Sequence, residues 1–197
     1  SFCQNFEISQ VKEIIGEEIT PEKIVENAIK TGCKSIAYTY NEPGIWIEFV
    51  KDIIKLAKEK GLKNILVTNG YLSKESFDYI RDYVDAMNID LKGNDKFYQE
   101  NCGGRLQPVL DTIKRAYKAG IHIEITTLLI PGLNDDEKEL EKIAKFIASI
   151  DKKIPWHISR FFPMYKMLNK NATPISSLEK AYKIGNKHLK YVYVGNV

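Results

Sequence analysis

Residues 63–73 read KNILVTNGYLS, and this stretch decides the fold. Lys63 to Thr68 is a short apolar run of strand type. Thr68, Asn69 and Gly70 place polar and turn residues at its end, and Ser73 is an N-cap for a helix. The same unit recurs along the chain. Upstream, Thr20-Pro21 opens a helix to about Thr31-Gly32, and Ser35 to Tyr40 (SIAYTY) is a strand that ends in Asn41, Glu42 and Pro43. Residues 45–60 form a helix with Trp46, Phe49, Val50, Ile53 and Ala57 on one face and Gly61 as its stop. Downstream, Asp85 to Leu91 is a strand ending at Asp90 and Lys92, and residues 106–119 are a helix. Ile121 to Leu129 is a strand carrying Thr126 and Thr127, and Pro131-Gly132 turns the chain into a helix bearing Leu140, Ile143, Ala144 and Ile147. Pro155 to Phe161 is a strand with His157 and Arg160, residues 176–189 are a helix, and Tyr191 to Val194 reads as a last strand.

Strands alternating with helices, in units long enough for crossovers, imply a parallel sheet with right-handed connections. An open doubly wound sheet and a full or partial β/α barrel both satisfy this rule. The polar residues separate them in part. They fall at the C-terminal ends of five strands, which share one face in a parallel fold, and that face holds the active site. Five strands feeding one face is barrel-like.

The 197 residues make one ordinary domain. With 44% hydrophobic and 28% charged residues the chain is of soluble-globular type. Its net charge of +3, interspersed along helices, gives no reason to expect nucleic acid. No apolar run reaches the roughly 20 residues of a membrane span. Three widely spaced cysteines form no disulfide framework and fit a reducing cytoplasm. The chain opens at Ser1 without a methionine, and both ends are expected to be incomplete.

Taken singly, the strand-end residues have bland readings. Glu42 fits a loop carboxylate as well as an acceptor for a ligand ammonium group. Asp90 and Lys92, two apart on a strand, point the same way and fit a surface ion pair or a ligand site. His157 follows Trp156 in an apolar strand, where a satisfied structural histidine is the ordinary case. Cys102-Gly103-Gly104-Arg105 is a weak anion-turn signal and reads first as a helix-entry loop. Cys33, between a helix stop and a strand, is expected to be a small buried hydrophobe.

Phe2-Cys3-Gln4-Asn5, followed by Glu7-Ile8-Ser9, resembles the tail of a radical S-adenosylmethionine (SAM) cluster motif. There, three cysteines in a C-x-x-x-C-x-x-C loop hold three irons of a [4Fe-4S] cluster and leave the fourth open for SAM. Cys3 matches the last of them, and its partners would stand upstream of Ser1. The resemblance extends through Tyr38 to Trp46, Thr68 to Tyr71, Asp85 to Gly93, Ile130 to Asp135, and Trp156 to Met167. Over almost the whole length the chain is similar to glycyl-radical-enzyme activases such as pyruvate formate-lyase activating enzyme, and more so to the AmmeMemoRadiSam branch. The resemblance implies a partial (β/α)6-type TIM barrel, a single domain over 1–197 lacking its first strand and part of the cluster loop. It implies an enzyme that cleaves SAM reductively at a [4Fe-4S] cluster to a 5′-deoxyadenosyl radical, which takes hydrogen from a substrate.

By the same resemblance Cys3 is a cluster ligand, and Asn41, Glu42, Thr68, Asn69, Asp90, Lys92, Ile130, His157 and Arg160 are cofactor-binding residues. Glu42 would receive the methionine ammonium and Lys92 balance the carboxylate. Ile130 would line the adenosine, and His157 with Arg160 would reach substrate or the adenosyl group. The implied partners are SAM, an electron donor such as flavodoxin or ferredoxin, and a protein substrate or partner. With one of three cysteines, the 197 residues are expected to be inactive alone. Three departures stand out. Tyr40-Asn41 replaces the activases' Gly-Gly before the glutamate, Val67 replaces an aspartate, and Phe162-Pro163-Met164-Tyr165 replaces a Leu-Pro-Tyr-His. Two readings from other classes stay open: a barrel lyase or aldolase using Lys92 as a Schiff-base nucleophile, and a non-catalytic barrel that binds a partner.

Overall fold

The computed structural model describes residues 2–11 and 16–197. Six strands, β1 Ser35–Tyr38, β2 Lys63–Thr68, β3 Ala86–Asp90, β4 His122–Leu129, β5 Trp156–Arg160 and β6 Val192–Gly195, make one parallel sheet in sequential order. Among the described residues eight α-helices accompany them: α1 Phe6–Ser9, α2 Pro21–Lys30, α3 Ile47–Glu59, α4 Lys74–Ile80, α5 Asp95–Phe97, α6 Gln107–Lys118, α7 Glu137–Ile150 and α8 Ile175–Gly185. Sequential parallel strands alternating with helices, with β1 and β6 unpaired to each other among the described residues, are a partial (β/α)6 barrel.

Helix starts follow the sequence signals. Thr20 Oγ1 accepts from Lys23 N at 3.3 Å ahead of Pro21, Ser73 Oγ from Ser76 N at 3.0 Å, and Asp136 Oδ1 from Glu139 N at 3.0 Å. On the strands, residues of one parity are buried under the helices: Tyr38, Leu66, Met87, Ile89, Ile125, Trp156 and Ile158 pack with Val50, Ile53, Phe77, Ile113, Ile143 and Ala181. Each fully buried side chain of this size contributes roughly 1.5–3 kcal/mol. The other parity faces the barrel interior.

Three expectations are corrected. β1 ends at Tyr38, because Tyr40 takes φ of 41°, outside the extended region, and turns its ring to solvent. The last long helix stops at Gly185, four residues early. Cys33 is exposed: Gly32, at φ of 74°, closes α2, Cys33 N donates back to Ala28 O, and the thiol turns outward to Thr31 Oγ1. The segment after β3, which carries no expectation of its own, is ordered as α5 followed by a π-helical turn, Tyr98–Cys102, and Gly103 to Arg105 form the loop that enters the next helix. Among the described residues no helix is long and apolar enough to cross a membrane.

Candidate functional site

The C-terminal strand ends surround a cavity of about 690 Å³, within the range of small-molecule sites. Glu42, just beyond β1, forms one wall. Its Oε1 accepts from Thr68 Oγ1 at 2.7 Å and from Gly44 N at 3.0 Å, and its Oε2 accepts from Asn69 N at 2.7 Å. A carboxylate tied to the ends of both β1 and β2 is held in one orientation and keeps lone pairs for a ligand. Asn69 also turns the chain, its Oδ1 accepting from Tyr71 N at 2.8 Å. Asn41 lines the same wall.

Asp90 and Lys92, at the end of β3, also line the cavity and are bonded to each other through Oδ2 and Nζ. The backbone beneath them has its polar groups engaged. Tyr98 Oη donates to Asp90 O and accepts from Lys92 N, both at 3.2 Å. Thr127 Oγ1 donates to Leu91 O at 2.7 Å, and Asn134 Nδ2 donates to Lys92 O at 2.6 Å. Burial drives the Tyr98 phenol far above its ordinary range. Lys92 therefore presents a fixed cation beside a fixed anion.

Cys3 enters from the N-terminal segment. Phe2 packs on Phe97 with ring centroids 5.8 Å apart and lies over Lys92 Nζ at 6.0 Å, while Phe6 stacks on Tyr165 at 5.2 Å. Between these anchors the half-buried, free Cys3 thiol meets the cavity, with Ser9 Oγ at 3.5 Å. The π turn brings Tyr98, Asn101 and Cys102 to the wall, a placement common for π turns at functional sites. The protein around the Cys102 sulfur pushes its thiol up, and the Lys92 ammonium only partly opposes this. Arg105 turns to Asp95 at 3.6 Å and builds no anion pocket.

Of the residues expected together, Cys3, Asn41, Glu42, Thr68, Asn69, Asp90 and Lys92 converge on the cavity, and three do not line it. Ile130 is fully buried with Phe97, Phe161 and Met167. Arg160 donates through Nε to Thr173 O at 2.9 Å and lies over the Phe162 ring at 4.9 Å. His157 faces the interior but is bonded to Glu124 at 2.6 Å. Sequence reasoning missed Asn134, Tyr98 and Cys102; the Asn ending Pro131-Gly132-Leu133-Asn134 was the one local signal, a turn amide.

A model of the radical SAM superfamily matches residues 1–147. The chain belongs to the radical SAM superfamily. An uncharacterized protein of Methanocaldococcus jannaschii is 46% identical over 199 residues, covering 99% of this chain and 59% of its own length. The pyruvate formate-lyase-activating enzyme of Clostridium pasteurianum is 24% identical over 157 residues, covering 76% of this chain and 65% of its own. This radical SAM chain thus spans less than two thirds of either relative. A domain of a pyruvate-formate lyase-activating enzyme from Bacteroides vulgatus superposes with a TM-score of 0.70 at 24% identity, over 82% of this chain and 99% of that one, which shows the fold. Membership implies a [4Fe-4S] cluster and SAM, and the cavity can be tested for both. A free thiol facing a cavity is a suitable iron ligand, and a carboxylate and an ammonium lining one cavity suit the two charges of an amino acid. Among the described residues no three His, Cys, Asp or Glu side chains gather as a metal site.

Proposed function

We propose that the cavity holds SAM against a [4Fe-4S] cluster for which Cys3 is one thiolate ligand, and that the whole protein is a radical SAM enzyme. The observation that carries this is the convergence of Cys3, Glu42 and the Asp90–Lys92 pair on one cavity. Glu42 receives the methionine ammonium, its carboxylate pre-oriented by Thr68 and Asn69, and Lys92 holds the methionine carboxylate by charge. Asn41 completes the wall beside Glu42. When bound and reduced, the cluster supplies the electron that splits the S–C5′ bond of SAM to methionine and a 5′-deoxyadenosyl radical. The protein's part is to orient, to exclude water and to fix charge.

The 197 residues form one barrel domain of a longer protein in this reading, with two further cysteines outside them completing the ligand set. A relation to glycyl-radical activases supports a polypeptide as hydrogen donor, with a flavodoxin- or ferredoxin-type reductant. The likeness of Trp156 to Met167 to the AmmeMemoRadiSam branch supports a substrate other than a glycyl-radical enzyme. The deciding experiment is anaerobic iron–sulfide reconstitution of the whole protein, reduction, addition of SAM and measurement of 5′-deoxyadenosine. The expected result is a cluster with SAM cleavage, both lost in Cys3→Ser. Absence of a cluster in the unaltered protein overturns the reading and returns attention to Lys92 as a nucleophile.

A further inference from the structure

The barrel interior carries a second polar group that the SAM reading leaves unused. Strand alternation puts Glu124, His157 and Tyr193 on the same face as Thr126 and Ser159, which line the cavity. In register, Asp90, Thr126, His157 and Tyr193 form one row across β3 to β6. Neighbouring strands lie about 4.8 Å apart, so His157 stands directly beside a cavity wall residue. Glu124 Oε2 meets His157 Nε2 at 2.6 Å, and Glu124 Oε1 meets His122 Nε2 at 3.2 Å. Tyr193 stacks on the imidazole at 5.3 Å and 24°. Nearby, Thr126 Oγ1 donates to Asn88 Oδ1 at 2.8 Å.

A ring nitrogen bonded to a carboxylate carries the proton, which leaves the other nitrogen as the base. His157 Nδ1 has no hydrogen-bond partner among the described residues, and no buried polar side-chain atom there lacks one, so Nδ1 is accessible to solvent and to a ligand. The titratable groups around it are Glu124 and His122 on β4, Tyr193 on β6 and, across Thr126, Asp90 with Lys92. An apolar substrate would strip water from these groups without replacing its hydrogen bonds.

We propose that His157, held by Glu124, is the proton acceptor of a subsite that seats a hydroxyl- or amine-bearing substrate beside the cavity. The proposal rests on the SAM reading of that cavity and adds the substrate class. The step is a proton transfer. The substrate's hydroxyl O–H or ammonium N–H bond breaks, its electron pair stays on the heteroatom, the proton joins Nδ1, and Glu124 stabilises the imidazolium.

The test is NMR on the whole protein labelled with ¹³C,¹⁵N-histidine, with 1,2-propanediol and ethanolamine as probes and 1,2-dimethoxyethane as a control lacking a protic hydrogen. The expected result is an Nε2-protonated His157 at neutral pH whose signals move with the two protic probes and not with the control. Glu124→Gln removes the response; should that variant fail to fold by its amide spectrum, Glu124→Asp, which retracts the carboxylate, replaces it. A proton on Nδ1, an equal response to the control, or no response at the highest probe concentration the fold tolerates each overturns the proposal. None of these measurements needs cluster or SAM, so their failure is distinct from a failed 5′-deoxyadenosine assay.

Discussion

Asn134 gives the strictest test of how the candidate site is held. It is fully buried and its amide is fully used: Oδ1 accepts from Ile130 N at 2.7 Å, and Nδ2 donates to Leu128 O at 2.8 Å and to Lys92 O at 2.6 Å. Asn134→Ala deletes all three bonds where water has no easy access. At roughly 0.5–1.5 kcal/mol net per bond, with about 1–3 kcal/mol for a buried group left unpaired, the loss is about 2–5 kcal/mol. For a chain of this length each kcal/mol lowers Tm by about 2–4 °C, so Tm falls by roughly 4–20 °C. Asn134→Asp isolates the donors. It keeps an acceptor for Ile130 N but turns carboxylate oxygen toward two carbonyls, and it is expected to cost at least as much. Urea unfolding followed by circular dichroism measures both. A loss below about 1 kcal/mol for either variant would refute the claim that this amide fastens the Lys92 segment to the end of β4.

Glu42→Ala removes the acceptor of Thr68 Oγ1, Asn69 N and Gly44 N; SAM Kd on the reconstituted protein, by calorimetry, is expected to rise at least about tenfold, or about 1.4 kcal/mol, and an unchanged Kd excludes Glu42 from the ammonium role. Gly70→Ala forces a Cβ to 2.7 Å from Ile89 Cγ2 and 3.2 Å from Val109 Cγ1 at φ of 72°, so it should cost about 1–3 kcal/mol in chemical denaturation beyond the backbone penalty. Gly32→Ala, at φ of 74° with nothing within 4 Å, measures that backbone penalty alone. Burial raises the Asp85 carboxyl, but Lys63 Nζ at 2.7 Å and Asn64 N at 2.9 Å outweigh it and hold the group below its ordinary value. The charged form is therefore favoured by folding. Its contribution is present above the unfolded carboxylate pKa and fades as pH falls through the depressed folded value, and Asp85→Asn flattens that acid limb in stability–pH curves.

The parts of this fold legible in the sequence are those set by neighbours in the chain. The alternation of apolar runs with Ser, Thr and Asp caps locates all six strands and the long helices, and the polar strand ends locate the cavity. The segment after β3 is different. Phe97 and Tyr98 are core residues whose burial depends on β3 and on Phe2, so no local period announces them. The groups that fasten Lys92 are remote for the same reason: the Asn134 bond spans 42 residues and the Thr127 bond to Leu91 spans 36. Side-chain bonds of that range follow from the sheet's register, which exists only once the barrel has formed.

His157 and Arg160 teach the opposite lesson, because the information to separate them is local. They stand three apart on one strand, so a period of two sends them to opposite faces. Asp90 and Lys92, two apart, stay together at the cavity, and so do Thr126 and Leu128. By the same count His157 belongs with Ser159 and the interior, whereas Arg160 belongs outside, where its Nε is spent on the Thr173 carbonyl and its guanidinium on Phe162. Thr173 is itself fully buried, donating to Leu129 O at 2.6 Å and accepting from Phe161 N at 2.9 Å. Arg160 thus braces the clamp that joins β4 to β5 from behind. His157, across the strand, shares the parity of Ser159, and its Nε2 is spent on Glu124. The two residues stand three apart in the sequence and are held by different partners in the fold.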